Sequence, residues 1–190
     1  MAVSQATQKS VDNLLKQSFN EMLNIVHEVG RMEVRDVDAK TISKYALKSV
    51  MFTISTSNFR IVLLLHFASY DSFGSQKYSF LQDINDRQKY IDLVCELGNN
   101  FCGASCRILN SLEFSTGMST PFVLENKNSQ DHIRLTGLDY ESHIAALDAG
   151  KPLFCASFAM FANEGASVEL DIKHIDISQE EEMTGELEFF

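Results

Sequence analysis

The stretch from Asp83 to about Leu112 constrains the fold more than any other part of the chain. At about 100° per residue, its apolar side chains fall within one broad sector, as in a helix that packs one face against a core. That sector holds Ile91, Val94, Cys95, Phe101, Cys102, Ile108 and Leu109. We therefore predict a single long helix in the middle of the chain.

The opposite side of this helix is a polar stripe, formed by Asp92, Glu96, Asn99, Gly103 and Arg107. Glu96 and Asn99 are three residues apart, so their side chains are neighbours on the helix surface. Gly103 follows one turn later, and a glycine inside a helix costs about 1 kcal/mol relative to alanine. That cost is tolerated where another molecule must approach the backbone. The stripe is therefore either a solvated face with an incidental glycine or a landing site for a second protein.

Two further patterns precede the long helix. Apolar residues at helical spacing over 11–29 predict an opening helix, with Ser10 as its N-cap and Gly30 as its stop. Two runs over 49–57 and 59–68 are rich in Val, Ile, Phe and Thr, and they predict a β-hairpin. The second run is apolar on both faces, which indicates a strand in the interior of a sheet.

The composition changes beyond Gly117. Short strands are predicted over 122–124, 132–138, 153–161 and 167–175, and a short helix or helical turn over 141–149. Residues 1–9 are interpreted as a flexible N-terminus, 10–177 as one α+β domain, and 178–190 as an acidic C-terminal tail. The fold class predicted is thus α+β, with the long central helix and the N-terminal helix packed on a mainly antiparallel sheet.

Charge and composition limit the function classes. The 190-residue chain has a formal net charge of −10, which disfavours binding to nucleic acid and to anionic membrane surfaces. Its longest apolar run spans about eight residues, whereas a membrane helix needs roughly twenty. The N-terminus has no apolar signal core, so we expect a cytoplasmic protein. The four cysteines form no Cys-x-x-Cys pair, so no metal site is predicted and three of them are interpreted as core residues.

Motifs for several other enzyme classes are missing from the sequence. Cys102 and Arg107 have four residues between them, one fewer than a cysteine phosphatase loop requires. The chain contains no Gly-x-Ser-x-Gly elbow, no Walker loop and no dinucleotide fingerprint.

The segment CELGNNFCGA, residues 95–104, resembles the Glu-x-x-Asn-x-x-x-Gly helix signature of the CheC/CheX/FliY chemotaxis phosphatases. Glu-x-x-Asn alone has little specificity, because it occurs three times, as Glu21/Asn24, Glu96/Asn99 and Glu125/Asn128. Only the second is followed by the glycine and by a Ser-Thr-Pro lead into a strand at 119–123, another feature of the family. The order of predicted elements also agrees with that family over about residues 10–175.

The resemblance implies an activity and a partner. Such phosphatases hydrolyse the aspartyl phosphate of a CheY-like response-regulator receiver domain. By the resemblance, Asn99 would orient the attacking water, and Glu96 would pair with the receiver's active-site lysine. The Mg²⁺ ion would belong to the receiver, so this chain would need no cofactor of its own. Phosphoryl transfer depends mainly on positioning and charge stabilisation, which suits an amide and a carboxylate.

The surroundings of the pair suggest secondary roles, and one alternative stays open. Asp92, Asn100, Gly103 and Arg107 lie beside Glu96 and Asn99 on the predicted helix and are expected to contact the partner, although Asn100 stands where the family usually has a hydrophobic residue. Some family members have two catalytic pairs, so Glu21 and Asn24 are a possible second pair. A homodimer is expected by the same resemblance. The alternative is a non-catalytic module on the same fold that binds or sequesters a receiver, or serves as a scaffold.

Overall fold

The computed structural model describes residues 3–26, 32–45, 48–67, 84, 86–125, 138–148 and 150–173. The elements in chain order are α1 (Gln5–Ile25), β1 (Glu33–Asp36), α2 (Ala39–Tyr45), β2 (Lys48–Ser55), β3 (Phe59–Phe67), α3 (Arg87–Ser111), β4 (Gly117–Met118), β5 (Phe122–Glu125), β6 (Tyr140–Asp148) and β7 (Lys151–Ala162). This architecture confirms the predicted α+β class, the hairpin, the long helix and the strands at 122–124 and 153–161.

The strands form one sheet in the order β1-β6-β7-β3-β2-β4, and β5 also pairs with β2. Every pairing is antiparallel. β3 lies inside the sheet between β2 and β7, which explains why both of its faces are apolar. α1 and α3 pack on one face, whereas α2 contacts the other face through Ile42.

The first helix begins earlier than its apolar pattern predicted. Ser4, not Ser10, is the N-cap, and its Oγ accepts a hydrogen bond from the backbone N–H of Thr7 at 3.1 Å. Residues 5–9, interpreted as part of a flexible N-terminus, therefore belong to α1. Apolar periodicity missed this first turn because its inward-facing residue, Thr7, is polar.

The predicted helical turn at 141–149 is wrong, because residues 140–148 form strand β6. Alanine favours helices, and two alanines lie at the centre of this segment. The strand is instead fixed by its neighbours, since β6 pairs with β1 on one side and with β7 on the other. Ile144 and Ala146 face α1 and α3, whereas His143 and Ala145 are buried on the opposite face.

The predicted strand at 167–175 is also wrong over the part that the structure describes, 167–173, which is extended but belongs to no strand. Four of its carbonyl groups accept hydrogen bonds from side chains of α1 instead of from a neighbouring strand. The alternation that suggested a strand is present, because the side chains of Leu170 and Ile172 are buried in the core. The predicted strand at 132–138, except for Leu138, and the acidic tail lie outside the described residues.

Four polar side chains of α1 donate these hydrogen bonds. Thr7, Ser10 and Asn13 follow one another at intervals of three residues, and Gln17 comes one turn later. The bonds are Thr7 Oγ1 to Val168 O (3.0 Å), Ser10 Oγ to Leu170 O (2.7 Å), Asn13 Nδ2 to Ile172 O (2.7 Å) and Gln17 Nε2 to Lys173 O (2.7 Å). They satisfy backbone acceptors that a sheet ladder would otherwise satisfy.

Candidate functional site

Helices α1 and α3 lie side by side and run in opposite directions. Thr7, near the start of α1, lines a groove with Leu112 just after the end of α3. Further along α1, the Phe19 ring packs edge-on against the Phe101 ring, with 5.6 Å between their centroids. The end of α1 is therefore directed towards the first half of α3, where Glu96 lies.

The position of α3 on the sheet depends on Gly98. A Cβ built at Gly98 would lie 2.6 Å from Cζ of Phe52, a distance that real Cβ atoms essentially never show. Phe52 belongs to β2 and is fully buried. Gly98 thus allows α3 to approach the sheet at the turn that carries the candidate pair. Sequence reasoning did not identify this role, although a small residue between Glu96 and Asn99 on the buried side was a visible signal.

Glu96 and Asn99 lie three residues apart on α3, on either side of Gly98 in the sequence. Glu96 is exposed and Asn99 is half-buried. Asn100 is also half-buried, and its Nδ2 donates to the backbone carbonyl of Glu96 at 3.0 Å and lies 3.5 Å from Glu96 Oε1. Asn100 is therefore placed to restrain the Glu96 carboxylate. Glu96 and Asn99 thus share one turn of α3, and the side-chain contact that the structure gives Glu96 is with Asn100.

The remaining residues of the stripe have different surroundings. Asp92 is exposed, and its Oδ1 accepts a hydrogen bond from Gln88 Nε2 at 2.8 Å. Among the described residues, a Cβ at Gly103 would meet only Nη1 of Arg107, at an ordinary 3.6 Å. The packing of the described residues thus does not require a glycine at 103, in contrast to Gly98. Arg107 is exposed, and its guanidinium crosses to α1, where Nη2 donates to Oε1 of Glu21.

The possible second pair on α1 is exposed, but its acid is engaged. Glu21 forms the ion pair with Arg107, so it differs from Glu96, which contacts Asn100. Asn24 is exposed one turn later. Next to it, Ile25 is an exposed large apolar side chain, with 46% of its surface accessible. The apolar pattern that predicts α1 includes Ile25, but the structure leaves this side chain exposed.

A separate polar cluster lies on the other face of the sheet. Nδ1 of His66 is 2.7 Å from Ser49 Oγ, and its Nε2 is 2.8 Å from Ser157 Oγ, which is also 2.8 Å from His143 Nδ1. Burial, reinforced by nearby His143, lowers the pKa of His66 to about 3. These groups are buried, so the cluster has a structural role in the sheet.

Within the described ranges, no group of three or more His, Cys, Asp or Glu side chains could hold a metal ion. Of the three cysteines interpreted as core residues, Cys102 and Cys106 are buried, whereas Cys95 is only half-buried. Cys155 is buried as well. The exposed stripe therefore offers a carboxylate and an amide that can make hydrogen bonds to a docked molecule. Such groups suit chemistry in which the reacting atoms belong to that molecule.

Comparison with known proteins bears on the fold. No family model matches the sequence, and no curated protein sequence matches it significantly. Among solved structures, CheX from Borrelia burgdorferi, crystallised with CheY, BeF₃ and Mg²⁺, superposes with a TM-score of 0.59 at 12% identity. The match covers 78% of this chain and 96% of that chain. This chain has a CheC/CheX-type fold.

Two further structures support the same CheC/CheX-type fold. A chemotactic CheC-like protein from Shewanella oneidensis matches with a TM-score of 0.55 at 14% identity, over 78% of this chain and 97% of that chain. A CheX from Desulfovibrio desulfuricans matches with a TM-score of 0.53 at 14% identity, over 77% and 98%. In the part of the chain that is described, no helix is long and apolar enough to span a membrane.

Proposed function

We propose that this protein acts on a CheY-like receiver domain and accelerates hydrolysis of its aspartyl phosphate. The observation that carries the proposal is that an exposed Glu96 and a half-buried Asn99 lie three residues apart on α3, within a CheC/CheX-type fold. The CheX of Borrelia burgdorferi was solved with CheY, BeF₃ and Mg²⁺, which makes a receiver the natural partner to test.

Each residue of the pair has a distinct role in this proposal. The Asn99 amide both donates and accepts hydrogen bonds, so it can hold a water in line with the phosphorus atom. The Glu96 carboxylate accepts a charge-assisted hydrogen bond from the receiver's active-site lysine, which fixes the position of Asn99. The reacting phosphoryl group and its Mg²⁺ stay with the receiver. The chain acts by positioning, without a covalent intermediate of its own.

The test is a phosphate-release assay with a panel of phosphorylated CheY-type receiver domains. The wild-type protein is expected to accelerate phosphate loss from at least one receiver. Asn99→Ala should reduce kcat by about 100-fold or more while binding is largely retained, because positioning a reactant contributes several kcal/mol. Glu96→Ala should lower kcat too and, unlike Asn99→Ala, should also weaken binding. Glu164→Ala, which removes an exposed carboxylate from the turn after β7, is the matched control and should behave as wild type.

The non-catalytic alternative gives a different result in the same assay. A binding module would capture the receiver but leave its rate of phosphate loss unchanged, with or without Asn99. Failure of wild type to bind any receiver of the panel would contradict both the phosphatase and the binding module.

A further inference from the structure

The ion pair between Arg107 and Glu21 joins the two helices beside the candidate site. Nη2 of Arg107 donates to Oε1 of Glu21, and the two side chains are 64% and 50% exposed. Exposed ion pairs contribute little to stability, so this contact can be exchanged at small cost when another anion approaches. The guanidinium is therefore held in place but remains available.

Arg107 lies two turns beyond Asn99 on the same helix, α3. Helical side chains lean towards the N-terminus of their helix, so Arg107 covers the turn that precedes it. Its Nη1 lies 3.6 Å from the Cβ position of Gly103, which places the guanidinium beside that turn of the helix. Gly103 is four residues from Asn99, a rise of about 6 Å along the helix axis. A partner that contacts Asn99 would thus meet Arg107 as well.

The charges around the site show why such a cation matters. Asp92, Glu96 and Glu21 all present exposed carboxylates on this side of the helix pair. The proposed partner carries an anionic phosphoryl group, so negative charges would face each other in the complex. Arg107 is the cation of the α3 stripe, and its planar fork of donors suits carboxylate and phosphoryl oxygens.

We infer that Arg107 is a second anion-binding contact for the receiver, and that Glu21 positions its guanidinium instead of serving as the acid of a second catalytic pair. This inference rests on the proposed function, since it concerns the same partner. The ligand is an anionic oxygen of the receiver, from either its phosphoryl group or a neighbouring carboxylate. In the free protein, Glu21 occupies the place of that oxygen.

The experiment measures the Kd of receiver domains by calorimetry, which requires no hydrolysis. Receivers loaded with BeF₃ and Mg²⁺ are compared with unloaded ones. Arg107→Ala should raise the Kd of the loaded receiver about tenfold, the loss expected for one charge-assisted hydrogen bond. Arg107→Lys should recover part of that loss, because it keeps the charge but not the fork. If Arg107→Ala raises the Kd of the loaded receiver alone, the ligand of Arg107 is a phosphoryl oxygen. If it raises the Kd of both forms equally, the ligand is a carboxylate.

The role of Glu21 is tested by a double-mutant cycle. Glu21→Gln alone should change the Kd by about threefold or less, and it should have no further effect when Arg107 is already alanine. Lys16→Ala is the matched control, because Lys16 forms a similar exposed ion pair with Asp36, at 2.9 Å between α1 and β1. That variant should bind as wild type does.

Three outcomes would contradict the inference in different ways. If Arg107→Ala binds as tightly as wild type, the anion-binding role is wrong while the proposed function stands. If Glu21→Gln lowers kcat for phosphate release equally in the presence and absence of Arg107, Glu21 belongs to a catalytic pair. If wild type binds no receiver of the panel, this inference and the proposed function both fail.

Discussion

Gly98 of α3 lies directly over the ring of Phe52 in β2, and the space between them is too small for a methyl group. Two residues of opposite size, 46 positions apart in the sequence, thus set the distance between the helix and the sheet. The contact occurs on the turn of α3 that also carries Glu96 and Asn99.

This contact predicts a difference between two glycines of the same helix. Gly98→Ala should lower the free energy of unfolding by about 1–3 kcal/mol, because its Cβ overlaps a fully buried ring. Gly103→Ala should leave stability unchanged or raise it by up to about 1 kcal/mol, since alanine favours helices and its Cβ would lie at an ordinary contact distance, 3.6 Å, from the Arg107 side chain. Urea denaturation monitored by circular dichroism measures both. Equal stabilities for the two variants would contradict the account of Gly98.

The hydrogen bonds between α1 and residues 167–173 predict that a buried donor contributes more to stability than an exposed one. Asn13→Ala removes a buried hydrogen bond to Ile172 O and leaves that acceptor without its partner, at a cost of about 1–3 kcal/mol. Gln17→Ala removes a bond of the same length at an exposed position, where water replaces it, so the expected change is within about 0.5 kcal/mol. Thermal unfolding of the two variants makes the comparison. A larger effect at Gln17 than at Asn13 would show that the segment is held in another way.

Asn100 provides a test of how the Glu96 carboxylate is restrained. Asn100→Leu introduces the kind of residue usual at this place in the CheC/CheX/FliY signature and removes the contacts of Nδ2 with Glu96. Under the proposed function, we expect KM for a phosphorylated receiver to change by about threefold or less, with kcat retained, because the contact is exposed. Steady-state phosphate release measures both constants. A kcat reduced as strongly as in Asn99→Ala would instead make Asn100 part of the reacting centre.

The buried cluster around His66 predicts acid sensitivity. Its pKa is near 3 in the folded protein, below the ordinary 6.5, because burial and nearby His143 disfavour the charged ring. Between these values the unfolded chain binds the extra proton, so stability falls as pH decreases from about 6.5 towards 3. For one such histidine, the slope approaches 1.4 kcal/mol per pH unit.

The variant His66→Gln separates this effect from general acid denaturation. Glutamine cannot titrate, so the variant should show a shallower slope below pH 6.5. Its amide can still form hydrogen bonds with Ser49 and Ser157, but it replaces a buried ring, so the variant should also lose stability at neutral pH. Part of the slope should remain, because burial also lowers the pKa of His143, against the opposing charge of Glu141. Urea unfolding at a series of pH values gives the slopes. An unaltered slope in His66→Gln would mean that other groups cause the acid sensitivity.

Elements governed by a strong local pattern were predictable from the sequence. The helix α3 and the hairpin of β2 and β3 follow from periodicity over many residues, and the exposed placement of Glu96 follows from the same rotation. That Glu96 and Asn99 form a working site stays a prediction.

Features that depend on distant neighbours were not predictable in this way. The segment of β6 contains helix-favouring alanines, and only its pairing with two strands makes it extended. The segment 167–173 has strand-like alternation, yet its carbonyls bond to side chains of α1 about 160 residues earlier. The role of Glu21 likewise becomes visible only when the packing of the two helices brings Arg107 to it.

The close approach of Gly98 to Phe52 limits which residues can replace either of them in sequences with this fold. Because Gly98 meets the ring of Phe52 on the turn of α3 that carries Glu96 and Asn99, the thickness of that ring limits how closely this turn approaches the sheet. A smaller or larger residue in that hidden strand would change the height of both groups together, without any substitution on the exposed side. We therefore expect the inner glycine and the strand residue beneath it to covary among homologues.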